Sequence, residues 1–253
     1  MSTAHSAGRP SQAADAEPRP ELSVVIPCLN EAGSLPSLLA ELQATFDAAG
    51  VPAEFILVDD GSTDASRALL REAALTEPRL RPVLRDARGG QTQALHDGLQ
   101  IARADWVAHL DGDLQNDPRD LPALLAKARE GYDAVFGFRA ARSDSLSRRL
   151  ASRAANAIRK WVLRDSIVDI GCSTRVLRRD VLTTLPPLPD LHRYLPALVE
   201  RAGWRILQVP TRHRPRQHGQ SKYGNLGRAL RGPADLLRMA RLARRLRRER
   251  LGS

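Results

Sequence analysis

LSVVIPCLNE, residues 22–31, decides the fold. Its first half is a short Val- and Ile-rich run ending at Pro27, and its second half turns polar at Asn30 and Glu31. A strand-sized run that is apolar on both alternating sides predicts a strand buried on two faces, the habit of parallel sheets. Outward from it the pattern repeats. An amphipathic helix is expected over Ser34–Ala48, a second strand at Phe55–Val58, and a helix over Ala65–Leu75. Leu80–Leu84 reads as a third strand, Gln91–Ala102 as a helix, Trp106–Leu110 as a fourth strand, Leu121–Arg129 as a helix and Ala134–Phe138 as a fifth strand.

Strands separated by single helices connect through right-handed crossovers. The expected class is therefore α/β, a mostly parallel sheet with helices on both faces, whose ligands sit outside the carboxyl ends of the strands. Beyond it the sequence predicts a basic helix over Ser143–Lys160, an extended piece at Ile167–Ile170, and helices near Arg178–Thr184 and Arg193–Ala202. A strand at Trp204–Val209 and a polar loop over Thr211–Tyr223 follow.

Composition narrows the class. In 253 residues, 42% are hydrophobic but only 4% aromatic, so the core must be mostly Leu, Ala, Val and Ile. No apolar run approaches the roughly 20 residues of a membrane-spanning helix, which excludes a transmembrane protein. Cys28 and Cys172 lie far apart, without metal-site spacing. They are expected to be small buried hydrophobes, which excludes a disulfide scaffold and a structural zinc site. Residues 1–20, rich in Ala, Ser and Pro without an apolar stretch, read as a disordered lead-in and not a signal peptide. A cytoplasmic location is expected.

The net charge of +10 is concentrated at the C-terminal end. Residues 212–253 carry 12 Arg and Lys222 against Asp235 and Glu249, leaving the remainder near neutral. From Pro233, one side of a helical wheel gathers Leu236, Met239, Leu242, Ala243 and Leu246, and the other gathers Arg238, Arg241, Arg244, Arg245 and Arg248. Such a basic amphipathic helix either lies in a bilayer interface or packs its Leu face on the domain. Without interleaved aromatics, a nucleic-acid partner is not expected.

Polar clusters fall where this fold places its site: Pro27–Glu31 after the first strand, DDGSTD (residues 59–64) after the second, DGDLQ (residues 111–115) after the fourth. Asp64 has the simpler role of a helix cap. Carboxylates converging from several strand ends repel one another unless a cation compensates. Mg²⁺ or Mn²⁺ suits such oxygen donors and needs only one or two carboxylates when a substrate diphosphate supplies the rest.

VVIPCLNE, LVDDGSTD and HLDGDLQNDP, in that order and spacing, resemble family 2 glycosyltransferases. The chain is most similar to their dolichol-phosphate mannosyltransferase and bacterial polyprenyl-phosphate glycosyltransferase branch. FGFR (residues 136–139), DIGCSTR (169–175), HRYLPAL (192–198) and RQHGQSKYG (216–224) extend the likeness. The resemblance implies a GT-A, nucleotide-binding catalytic domain over residues 21–223, followed by a membrane-associating helix over 224–253. It places Pro27, Leu29 and Glu31 at the base and ribose end of a nucleotide-sugar pocket, with Val58 and Asp60 on the base. Asp111, Gly112 and Asp113 match the family's Asp-x-Asp; Asp113 is the expected metal ligand with Asp111 beside it, and Gln115 adjoins. Arg139, Arg216 and Lys222 match cations that hold donor or acceptor phosphates. Arg153, Ser173 and Arg175 match the acceptor side. His192 is read as a packing or capping residue, and His213 and His218 as loop residues.

The implied reaction is inverting sugar transfer from GDP-mannose or a UDP-hexose to a polyprenyl phosphate. An acceptor phosphate monoester, with a second pKa of about 6, is largely dianionic at neutral pH and needs no base. The lipid acceptor inclines the basic tail toward membrane contact, at the inner face of the cell membrane. A hydroxyl acceptor would instead require a base, for which Asp169 is the candidate. A non-catalytic binding module on a degenerate fold is the alternative of another class, against which Asp111 and Asp113 speak.

Overall fold

The computed structural model describes residues 19–140, 156–215 and 225–252. The alternating pattern becomes β1 (Leu22–Cys28), α1 (Leu35–Ala49), β2 (Ala53–Asp59), α2 (Ser66–Thr76), β3 (Val83–Leu84), α3 (Gln91–Ile101) and β4 (Trp106–His109). A short 3₁₀ turn, Pro118–Asp120, leads into α4 (Leu121–Arg129) and then β5 (Ala134–Arg139). Helical residues 156–163 form α5. There follow β6 (Arg175–Arg178), α6 (Arg179–Thr183), α7 (Leu191–Arg201), β7 (Ile206–Thr211) and α8 (Asn225–Leu251). The expected lead-in up to residue 18, and the first part of the expected basic helix, lie outside the described residues.

The sheet has the order β3-β2-β1-β4-β6-β5-β7. β1 pairs in parallel with β2 and β4, and β5 in parallel with β7. β6 is the exception, antiparallel to both β4 and β5. The sequence reading did not foresee this strand: RVLR carries an Arg at each end and is too short to show alternation.

Alternation along the strands sorts side chains between two layers. Val24 and Ile26 join Leu35, Leu38, Leu42 and Phe46 of α1 in one cluster, while Val25 joins Ile56, Val58 and Ala94 under α3. The α3 layer sits close because Gly98 faces the strand; a Cβ there would stand 2.4 Å from Val25 Cγ1. A third cluster joins Ala134, Phe136 and Leu177 to α7 and α8.

That cluster decides the C-terminal helix. Leu236, Met239, Leu242, Ala243 and Leu246 are all buried in it, Met239 completely. Each large side chain so buried contributes about 1.5–3 kcal/mol. The apolar stripe is therefore spent on the domain, which corrects the expectation that it enters a bilayer. The helix is a structural element with an exposed Arg face.

Candidate active site

The loops after β1, β2 and β4 meet at the carboxyl edge of the sheet. Asn30 holds the first two together: its backbone N–H donates to Ser62 Oγ, and its side-chain Oδ1 accepts from Thr63 N–H, both at 2.8 Å. Asp64 accepts from the N–H groups of Ser66 and Ala32, the capping role expected of it. Gly112 brings the third loop against the first, since a Cβ there would lie 3.1 Å from Cys28 Sγ and 3.4 Å from the Pro27 carbonyl oxygen. Glu31 stands in the same contact, its Oε2 accepting from Ser34 Oγ at 2.9 Å. Pro27 and Leu29 are half-buried alongside.

Asp60 is buried and turned toward the entry of α3. Its two oxygens accept from the N–H groups of Gly89 and Gly90, both at 2.8 Å, and Arg85 Nε lies 3.4 Å away. Val58 is fully buried in the layer under α3. Its side chain packs in that layer, so a contact with a base would come from the Val58 backbone.

The two carboxylates of the Asp-Gly-Asp turn are held differently. Asp113 is buried, and its Oδ1 accepts from Gln115 N–H at 3.2 Å. Asp111 Oδ1 accepts from Gln91 Nε2 at 2.7 Å. Burial, and then the Asp113 charge, raise the Asp111 carboxyl above its ordinary range. Two carboxylates in mutual repulsion at a pocket edge suit a divalent cation, whose charge relieves that repulsion. The backbone here is strained: Leu114, between Asp113 and Gln115, has φ +60°. Asn30 and Asp190, both beside the site, share that left-handed conformation. Such strain in non-glycine residues concentrates where neighbouring groups must be aimed.

Beside Asp111 opens a polar pocket of 340 Å³. Arg139, Arg175 and Arg193 line it with Gln91, Ser173 and His192. Arg175 is almost wholly buried and donates to the His192 and Ser173 carbonyls; burial lowers it to about 10, so it stays charged at neutral pH. His192 Nδ1 and Thr92 Oγ1 are 2.8 Å apart. Burial, then the Arg175 charge, lower His192 to about 3 and keep its imidazole neutral. Ser173 Oγ accepts from Asn116 Nδ2 at 2.6 Å. Arg139 forks onto Asp169, Nε to Oδ2 at 2.7 Å and Nη2 to Oδ1 at 2.9 Å. Asp169 also accepts from Gly171 N–H, which leaves it poorly placed as the base that a hydroxyl acceptor would demand.

Gln115 carries a second attachment: its carbonyl accepts from Arg214 N–H at 2.8 Å. Arg216, Lys222 and Arg153 lie outside the described residues, as does His218. Sequence reasoning missed Gln91, Asp190 and Arg193. For Gln91 a signal existed, because Gly89-Gly90 directly before a helix and after the third strand repeats the logic of the other three strand ends.

A family model described as glycosyl transferase family 2 matches residues 23–185, a span containing Asp60, Asp111 and Asp113. Undecaprenyl-phosphate 4-deoxy-4-formamido-L-arabinose transferase of Edwardsiella ictaluri is 39% identical over 204 residues, 80% of this chain. The chain spans 63% of that relative's length. Among solved structures, glucosyl-3-phosphoglycerate synthase from Mycobacterium tuberculosis in complex with UDP is similar at TM-score 0.68 and 25% identity, covering 87% of this chain and 80% of that one. The same synthase with Mn²⁺ and UDP-glucose shares the fold at TM-score 0.68 and 24% identity, over 87% and 79% of the two chains. With the three strand-end loops joined around the Asp-Gly-Asp turn and the family match running across all of them, the chain belongs to glycosyl transferase family 2.

Proposed function

We propose that this chain transfers a sugar from a nucleotide diphosphate donor to a polyprenyl phosphate, with inversion at the anomeric carbon. The observation that carries the reading is the polar pocket, in which Arg139, Arg175 and Arg193 gather beside Asp111. Three guanidinium groups suit a doubly charged phosphate acceptor. For a hydroxyl acceptor, Asp169 is already engaged by Arg139, which leaves Asp190 at the pocket wall as the carboxylate to test by substitution with Asn.

The donor lies across the joined loops in this reading, with Pro27, Leu29 and Glu31 at its nucleoside and Asp60 holding the floor through Gly89 and Gly90. Asp113 and Asp111 would hold Mg²⁺ or Mn²⁺, which when bound would supply positive charge for a diphosphate leaving group. Gln91 orients Asp111, Leu114 fixes the turn, and Ser173 and Arg175 face the acceptor. Arg216 and Lys222 supply further cations for phosphate groups. Catalysis is then alignment and electrostatics: the acceptor arrives already ionised, and the buried cations hold its oxygen in line with the anomeric carbon. The E. ictaluri relative is named for an undecaprenyl-phosphate acceptor, and the synthase of like fold was solved with a UDP-sugar and Mn²⁺; both support this assignment of substrate classes. None of the described helices is long and apolar enough to cross a membrane.

The test is transfer from radiolabelled UDP-hexoses and GDP-mannose, with Mn²⁺ and undecaprenyl phosphate in detergent. Label extractable into organic solvent is expected. Label appearing only in a water-soluble polysaccharide would assign a hydroxyl acceptor.

A further inference from the structure

The membrane partner needs a surface, and the Leu stripe of α8 is not it. We infer that the face formed by α5 and the outer side of α8 lies on an anionic lipid bilayer. The inference gives the proposed lipid acceptor its docking surface and in that sense rests on that function, though its own test needs neither donor nor acceptor.

Large exposed apolar side chains concentrate on this face. Trp161 is 80% exposed, Ile158 stands 59% exposed one turn before it, and Leu237 of α8 is 55% exposed. Trp161 and Leu237 line one open groove of 830 Å³ between the two helices. A largely bare indole sits badly in water, because its apolar body is better covered.

The groove also carries Lys160, Arg164, Arg201 and Arg244. None of these four makes an ion pair within 4.0 Å among the described residues, although the Lys160 charge is felt by Asp165. Unpaired cations around an exposed Trp match a bilayer interface, where the indole sits at headgroup depth and the cations meet lipid phosphates. A second copy of this face would bring like charges together, and a partner without anionic groups would leave the four cations uncompensated. The segment leaving α5 carries exposed Val168 and then reaches Ile170, which lines the polar pocket. Lipid lying on this face is thereby brought next to the pocket assigned to the acceptor phosphate.

The experiment is co-sedimentation and Trp fluorescence of the full chain with phosphatidylcholine vesicles, with and without phosphatidylglycerol. Binding that requires phosphatidylglycerol and falls with added salt is expected, with a blue shift that vanishes in Trp161→Phe while Trp106 and Trp204 remain. Trp161→Ser with Leu237→Ser, and separately Arg164→Glu with Arg244→Glu, should each weaken binding tenfold or more at unchanged thermal midpoint. Equal binding to neutral and anionic vesicles, or wild-type binding by both double variants, overturns the inference. So does Trp161 shielded from acrylamide before vesicles are added, since the face would then be covered by protein. Nucleotide-sugar binding by the same preparations separates the two readings: retained without vesicle binding, it overturns only this surface; absent beside anionic vesicle binding, it leaves this surface standing and removes the proposed reaction.

Discussion

Arg214 Nη2 and Asp117 lie 2.8 Å apart, and through that pair the chain leaving β7 is fastened to the loop that carries Asp111 and Asp113. Arg214 also forks onto Glu41 of α1 at 2.8 and 2.9 Å. Asp117 is 1% exposed and held well below the ordinary carboxylate range by Arg119 and Arg214, against the cost of burial. Arg214→Ala leaves a buried carboxylate with Arg119 and the more distant Arg212, 4.0 Å away. A loss of about 1–3 kcal/mol is expected, read as a lowered urea midpoint, while the backbone bond from Arg214 N–H to the Gln115 carbonyl is retained.

Asp113→Asn should abolish transfer, by on the order of 10³-fold, without unfolding the chain. Removing one of two repelling carboxylates is expected to leave the thermal midpoint equal or slightly raised. The stabilisation that Mn²⁺ with a nucleotide sugar gives the wild type should disappear in a thermal-shift assay. Full transfer in the presence of a chelator would dismiss the metal.

Met239→Ala is expected to cost about 2–4 kcal/mol, since the side chain is fully buried among α7 and α8 residues. Deleting residues 234–253 should go further and expose the α7 face as an aggregating surface. Urea titration of the point variant and gel filtration of the truncated chain check both. A tail serving only as a membrane tether would leave stability untouched.

Glu77 gives a pH signature remote from the site. Its carboxyl, ordinarily near 4.5, is brought down to about 2 chiefly by the Arg79 side chain, with Gln43 helping against burial. A carboxyl lowered in the folded state stabilises above its unfolded value and loses that contribution as pH falls through the folded one. About 1–2 kcal/mol should therefore be present at neutral pH and vanish between pH 4.5 and about 2. Glu77→Gln is expected to flatten the acid slope of stability in that window, measured by denaturant midpoints at several pH values.

Much of this was legible in the sequence because β1, β2, β4 and β5 are apolar runs with polar residues at their carboxyl ends. The helices of the first half fell within a residue or two of their observed limits. What escaped was decided by tertiary pairing. β6 is stabilised only by its neighbours on both sides, so four residues with two Arg gave no local sign. The engagement of Arg139 by Asp169 was foreseeable only as a competing possibility, since sequence cannot show two groups thirty positions apart facing each other. The fate of the α8 stripe was equally hidden: a wheel displays an apolar face but not what covers it.

The antiparallel strand also dictates when the sheet can close. Trp106 stands opposite Arg178 in the sheet, and Ala134 opposite Leu177. While the ribosome is still short of this point, β4 keeps one bare edge and β5 has no route to it. The β1–β4 half can close its layers early, yet the half built on β5 and β7 must wait for a late, distant pairing. Synthesis halted before β6 would release an open sheet edge, a template for aggregation and not for catalysis.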